Sequence, residues 1–210
     1  MDVGHNAAPL ASPPTMPFSH SSQLSAIVGY AESMQPLSVL DVGVGMGQYG
    51  VLLRNNLENE HLFEVSGSFG RQRPREQWRV RIDGIEGFAG YLTPVHAWAY
   101  QKVHIGEALA VLADIADASY ELVIAIDILE HFLPEHGREL LAQCRRVARR
   151  ACLISTPKDF IAQTVEANPL EDHRSVWTAE QLATAGYTHV LPDTTSWIAV
   201  YEAQGANPSR

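Results

Sequence analysis

Apolar residues first recur at helical spacing at Leu24, Ile27, Val28 and Ala31, so Ser21 to Met34 reads as a helix that Pro36 stops. The period then shortens. Val39 and Leu40 form a short strand-like run that delivers Asp41 into a loop, VLDVGVGMGQYG, where Gly43, Gly45 and Gly47 alternate with other residues. An amphipathic stretch from Tyr49 to Asn56, with Val51, Leu52 and Leu53, completes a strand, glycine loop, helix sequence. The alternation continues downstream. Strand character at Val80 to Glu86 is followed by a helix at Thr93 to Tyr100 with Pro94 in its first turn, a strand at Lys102 to Ile105 and a helix at Leu109 to Ile115. Glu121 to Ile126, ELVIAI, is the continuous apolar run of a central parallel strand covered on both faces. Pro134 to Val147 reads as an amphipathic helix and Ala151 to Ser155 as a fifth strand. Thr178 caps a helix over Ala179 to Ala185, with Gln181 at the reciprocal position, and Gly186 ends it. Thr188 to Leu191 and Ser196 to Tyr201 close the chain as a hairpin around Pro192-Asp193. The fold class is therefore α/β.

Two stretches break the pattern. Residues 1–20 mix Pro, Ser, Ala, His and Asn without period, and Pro13-Pro14 forbids continuous helix, so a flexible leader is expected, with a loose tail at 205–210. The domain proper is then 21–204. Within it, residues 57–79 carry Gly67, Gly70, Pro74, Trp78 and four arginines without a clean period, which reads as an inserted, solvated flap.

Composition narrows the partners. At 210 residues and 46% hydrophobic content the chain can bury one core. It has no apolar run of membrane-spanning length and no secretory signal pattern, so a cytoplasmic protein is expected. Cys144 and Cys152 lack metal-type spacing and read as core thiols. A formal charge of -9 opposes a polyanionic partner and favours a small or uncharged acceptor over nucleic acid. Arg145, Arg146, Arg149 and Arg150 complement a helix C-terminus and need no nucleic acid.

The candidate chemistry lies at strand ends. Glycines at the spacing of 43, 45 and 47, with Val44 between, let the backbone approach a ligand whose other side meets a helix start. Glu86 ends the second strand, where a carboxylate can accept from both hydroxyls of a ribose, although the flap widens its separation from the loop. Glu107, between Gly106 and Ala108, ends the third strand, where its side chain can accept from an adenine amino group while neighbouring backbone reads the ring edge.

Together, DVGVGMG, Glu86, Glu107 and Asp127 after the fourth strand resemble the class I S-adenosylmethionine-dependent methyltransferases, over roughly residues 37–201 and including the tail TAEQLATAGY. The resemblance implies a Rossmann-like, doubly wound sheet of seven strands, ordered 3-2-1-4-5-7-6 with strand seven antiparallel. It implies S-adenosylmethionine as donor, S-adenosylhomocysteine as product, and Asp41, Gly43, Val44, Gly45, Gly47, Glu86, Gly106, Glu107, Ala108 and Asp127 as cofactor-binding residues. Glu107 stands where the family more usually has Asp.

A narrower resemblance concerns AIDILEHF and EDHRSVWT, which are similar to metal-assisted O-methyltransferases, including small-RNA 3′-end 2′-O-methyltransferases. In those enzymes an acid, a Glu-His pair and a later His before Trp-Thr hold a divalent cation, positions filled here by Asp127, Glu130, His131 and His173, with Asp127 in place of a longer Glu. Mg²⁺ or Mn²⁺ would suit such ligands. Glu-His after the fourth strand also occurs in methyltransferases that use no metal, and there His131 or His173 would serve as general base beside Glu130. His96, His104, His136 and His189 read as structural or surface residues.

The expected activity is methyl transfer to a small-molecule hydroxyl of a sugar or specialised metabolite, with the flap, His131 and His173 aligning the acceptor. An N- or protein methyltransferase, a non-catalytic S-adenosylmethionine sensor and an NAD-dependent oxidoreductase are the alternatives, the last lacking a catalytic Tyr-x-x-x-Lys segment. The final hairpin or the flap offers a surface for a homodimer.

Overall fold

A computed structural model describes Ser19 and residues 21–203; the rest of the expected leader and the loose tail at 205–210 lie outside the described residues. A short 3-10 turn, Ser21–Gln23, leads into α1 (Leu24–Met34), where Gln35 in the left-handed conformation donates its N–H to Ala31 O and Pro36 follows. β1 (Ser38–Val42) opens the sheet and α2 (Gln48–Glu58) follows the glycine turn. The next strands are β2 (Phe63–Ser66), β3 (Phe69–Gln72) and β4 (Arg81–Glu86). Then come α3 (Pro94–Ala99), β5 (Lys102–Ile105), α4 (Ala108–Ala113), β6 (Tyr120–Ile126) and α5 (Pro134–Val147). The chain ends with β7 (Ala148–Pro157), α6 (Ala179–Thr184), β8 (His189–Leu191) and β9 (Ser196–Glu202).

The main sheet has seven strands in the order β5-β4-β1-β6-β7-β9-β8, which, counted along that sheet, is 3-2-1-4-5-7-6. β9 runs antiparallel to both β7 and β8, while the other pairings are parallel. The apolar run of β6 explains its central place. Val123 and Ala125 face Leu112, Leu140 and Leu141 of α4 and α5, while Leu122 and Ile124 face Ile27 and Leu53 of α1 and α2. Successive side chains thus enter opposite cores, as a strand buried on both faces requires.

Cys144 and Cys152 are buried free thiols, and the Tyr187 hydroxyl donates to Leu141 O at 3.0 Å and lies 3.3 Å from Cys152 Sγ. The arginines after α5 do more than offset its dipole. Arg146 donates to Leu112 O and Ile115 O at the end of α4, and Arg145 donates to Ala185 O at the end of α6. β7 begins three residues earlier than its apolar core because Arg149 and Arg150 pair with Glu121 and stay in the strand. Among the described residues, no helix is long and apolar enough to cross a membrane.

The stretch 57–79 departs from the irregular flap expected. It continues α2 and then forms an antiparallel hairpin, β2 with β3, turning at Gly67 with φ of 60°. Its base is fastened by Trp78, which meets Trp98 edge-on at 5.9 Å and lies under the buried Arg54 guanidinium. Arg54 in turn donates to Ala99 O and to Val80 O, just before β4 begins. The hairpin therefore grows from the amino-terminal edge of the sheet, opposite the strand ends where the candidate chemistry lies.

Candidate active site

A cavity of about 940 Å³ opens across the carboxyl ends of β1, β4 and β6, at the upper end of the roughly 300–1,000 Å³ usual for ligand pockets. The glycine turn forms its floor. Gly43, Gly45 and Gly47 all have positive φ, and a Cβ on Gly43 would stand 2.7 Å from Ile128 Cδ1, so the sequence needs glycine there. Gly43 N and Val44 N both donate to Ile85 O, and Gly45 N donates to Glu86 Oε2 at 2.9 Å. Glu86 also accepts from Phe88 N at 2.8 Å, which fixes the carboxylate at the cavity wall with lone pairs to spare. Burial raises its pKa against the pull of those two N–H donors.

His96 locks the turn from behind. Its Nδ1 accepts from Thr93 N, so Nε2–H donates to Gly45 O at 2.9 Å. Sequence reading placed His96 among structural residues without finding this link, and no local pattern signals it. Asp41 also departs from its expected place. It is the fourth residue of β1, not part of the loop, and it does not line the cavity. The Tyr100 hydroxyl donates to Asp41 Oδ2 at 2.7 Å and accepts from Gly50 N at 3.1 Å, so Asp41 anchors the start of α2 through Tyr100. Burial pushes the Asp41 pKa up to about 7. Gly47 and Gly106 shape the wall without lining it, whereas Val44, Glu107 and Ala108 do line it. Glu107 stands at the N-cap of α4, next to Gly106, whose φ of 154° favours glycine.

Asp127 has φ of 48° at the end of β6, and its carboxylate accepts from Ser155 Oγ at 2.8 Å and Gln23 Nε2 at 2.6 Å. These bonds tie the segment before α1 to the cavity. Burial still raises the Asp127 pKa, against Ser155, Ser19 and Gln23. The carboxylate thus already accepts from two side chains, and its charge also reaches Glu130.

Glu130, His131 and His173 do come together, each offering a ligand atom within 4.8 Å of the others. Glu130 is buried in the 3-10 turn Leu129–His131 and accepts from Thr156 Oγ1 at 3.0 Å. Burial, then the Asp127 charge, raises its pKa to about 8. Its carbonyl accepts from Arg174 N and Ser175 N, which docks the long strap 158–175 beside it. The His131 and His173 ring centroids are 5.1 Å apart, and His131 Nε2 lies 3.9 Å from Glu171 Oε2. Burial, then His173, lowers the His131 pKa to about 4, leaving a neutral imidazole. His173 Nδ1 lies 2.6 Å from Ile161 O; donating there, it leaves an Nε2 lone pair free. Trp177 Nε1 donates to Ser175 Oγ and its ring packs on Gly137, so Trp177 fastens the end of the strap to α5.

Sequence reading missed three further contributors. Glu171 lines the cavity, its pKa raised to about 7 by burial and then by Glu86. His136, read as structural or surface, also lines it, and Gln23 reaches Asp127 across 104 positions of sequence. Glu171 lies inside the EDH block already singled out, which was the available signal. Among the described residues, none of 57–79, expected to align the acceptor, belongs to the lining.

No family model and no curated protein matches this chain. Solved structures do. An S-adenosylmethionine-dependent methyltransferase from Archaeoglobus fulgidus superposes with a TM-score of 0.54 at 17% identity, over 79% of this chain and 66% of its own. Another from Aquifex aeolicus gives 0.52 at 17% identity over 87% and 94%. An O-methyltransferase family protein from Burkholderia thailandensis gives 0.54 at 14% identity over 87% of this chain and 57% of its own. The chain thus spans somewhat less than two thirds of two of these proteins. Its fold is that of the class I S-adenosylmethionine-dependent methyltransferases.

Proposed function

We propose that the protein transfers a methyl group from S-adenosylmethionine to a hydroxyl oxygen of a small molecule. The observation that carries this reading is one cavity joining the Gly43 to Gly47 turn and Glu86 to the Glu130, His131, His173 cluster. The donor supplies an activated methyl on its sulfonium. The protein's part is positioning and proton removal. Glu86 accepts from the ribose hydroxyls, the glycine turn admits the donor's backbone-facing edge, and Glu107 faces the adenine. On the acceptor side His173 Nε2 takes the hydroxyl proton, its orientation fixed through Ile161 O, while neutral His131 holds the acceptor oxygen in place. An oxygen nucleophile needs such a base more than a neutral amine does, and this favours O-methylation over N-methylation.

A second reading rests on the same cluster. Glu130, His131 and His173 have the donor types, the neutral imidazole and the spacing to hold Mg²⁺ or Mn²⁺, which would lower the pKa of the acceptor hydroxyl.

Calorimetry with S-adenosylmethionine, S-adenosylhomocysteine and NAD tests the donor, and binding of NAD alone would refute it. His173→Ala is expected to reduce methyl transfer by about 10²–10⁴-fold with donor affinity unchanged. Turnover that survives thorough chelation would remove the cation from the reaction.

A further inference from the structure

The acceptor end of the cavity combines two chemistries that together describe what fits it. Its acids outnumber its fixed cations. Glu130, Glu139 and Glu171 line this end, and among the described residues Arg174 is the only Lys or Arg in the lining. The Arg174 guanidinium donates through Nη2 to Pro169 O at 2.8 Å. An anionic acceptor would therefore find a single fixed cation among three carboxyls.

The mouth, in contrast, is apolar and uncovered. Ile161, on the strap, lines the cavity at 57% exposure, beside Phe160 at 55%. Leu133 is 45% exposed next to Phe132, which also lines the cavity. The strap that presents Ile161 is fastened at three points. Gln163 Nε2 donates to Glu171 O, Val165 N donates to the Asp172 carboxylate, and Ile161 O receives the His173 ring N–H. A fastened segment that keeps large apolar side chains exposed beside a cavity is a surface suited to an apolar body.

We infer that the acceptor is an apolar-bodied alcohol or phenol, neutral or cationic, whose hydroxyl reaches His131 and His173 while its body lies against Ile161 and Phe132. This rests on the methyltransferase reading and narrows its acceptor away from sugars and from phosphate- or carboxylate-bearing molecules. The probes are four small compounds: para-ethylphenol, tyramine, para-hydroxyphenylacetate and methyl glucoside. Their binding is measured by saturation-transfer NMR on the full chain saturated with S-adenosylhomocysteine. Para-ethylphenol and tyramine are expected to bind, and para-hydroxyphenylacetate to bind about tenfold more weakly or not at all. Methyl glucoside is expected not to bind. Ile161→Asp, at an exposed position where folding is undisturbed, is expected to weaken para-ethylphenol about tenfold while S-adenosylhomocysteine affinity stays unchanged. The inference is overturned if the carboxylate or the glucoside binds as well as the neutral phenol, if no phenol binds, or if Ile161→Asp leaves phenol binding intact. Failure of S-adenosylhomocysteine itself to bind would instead remove the underlying methyltransferase reading.

Discussion

Asp41 carries an unusual burden for a strand residue. It is buried, its nearest partner is the neutral Tyr100 hydroxyl, and burial lifts its pKa to about 7 from an ordinary value of 3.8. Between those two pH values the folded protein keeps a proton that the unfolded chain has released, so this group's contribution to stability falls as pH rises from about 4 to 7. Above pH 7 the penalty is complete. Asp41→Asn keeps an oxygen for Tyr100 and removes the charge, so thermal melts should show the variant gaining stability over the wild type at pH 8 and losing that advantage near pH 4. A higher melting point for the wild type at pH 8 would contradict this. Residues of this kind also mark the limit of sequence reading. Glu86 and Glu107 were legible because a strand end with an acid has a stereotyped place in an α/β fold. The grip of His96 on Gly45 and of Gln23 on Asp127 was not, because each joins positions distant in sequence through one side chain that leaves no periodic trace.

The β2–β3 hairpin poses the corresponding question for an element. Arg73 N donates to Leu62 O at 2.9 Å, so the two ends of the hairpin already lie side by side. Phe63, Val65 and Phe69 on it are at least half exposed and add little to the core. Replacing residues 63–72 with a two-residue Asn-Gly turn should therefore preserve the fold. Donor affinity by calorimetry should stay within about twofold, since none of the described side chains of 57–79 lines the cavity. A loss of tenfold or more would return the hairpin to the site. The strand and helix elements of the main sheet were readable because both faces of β6 and the amphipathic side of α5 write their burial into the residue pattern. The hairpin was not, because with both faces in water FEVS and FGRQ owe no residue to a core and the alternation has nothing to report.

Across the whole molecule, the doubly wound order brings β1, β4 and β6 side by side, so three loops distant in sequence share one cavity. The fold was legible at this scale from the order of strands, glycines and acids. The acceptor end was only partly so, because its shape depends on where the strap 158–175 lies, and that is set by Glu130 O and by Ile161 O rather than by any period in the strap itself. The carboxyl-lined cavity has a further consequence for turnover under the proposed reaction. Methyl transfer discharges the donor: a sulfonium cation enters and an uncharged thioether remains. Beside Glu86 and Glu107, the spent molecule has lost the charge by which the protein's own field held it. The ratio of S-adenosylmethionine to S-adenosylhomocysteine affinity should consequently fall as salt is raised, measured by calorimetry at low and high ionic strength, and a ratio indifferent to salt would deny the field this part. On that account the chemical step is also the step that loosens the cavity's hold, and the acids that draw the donor in are what let its remnant go.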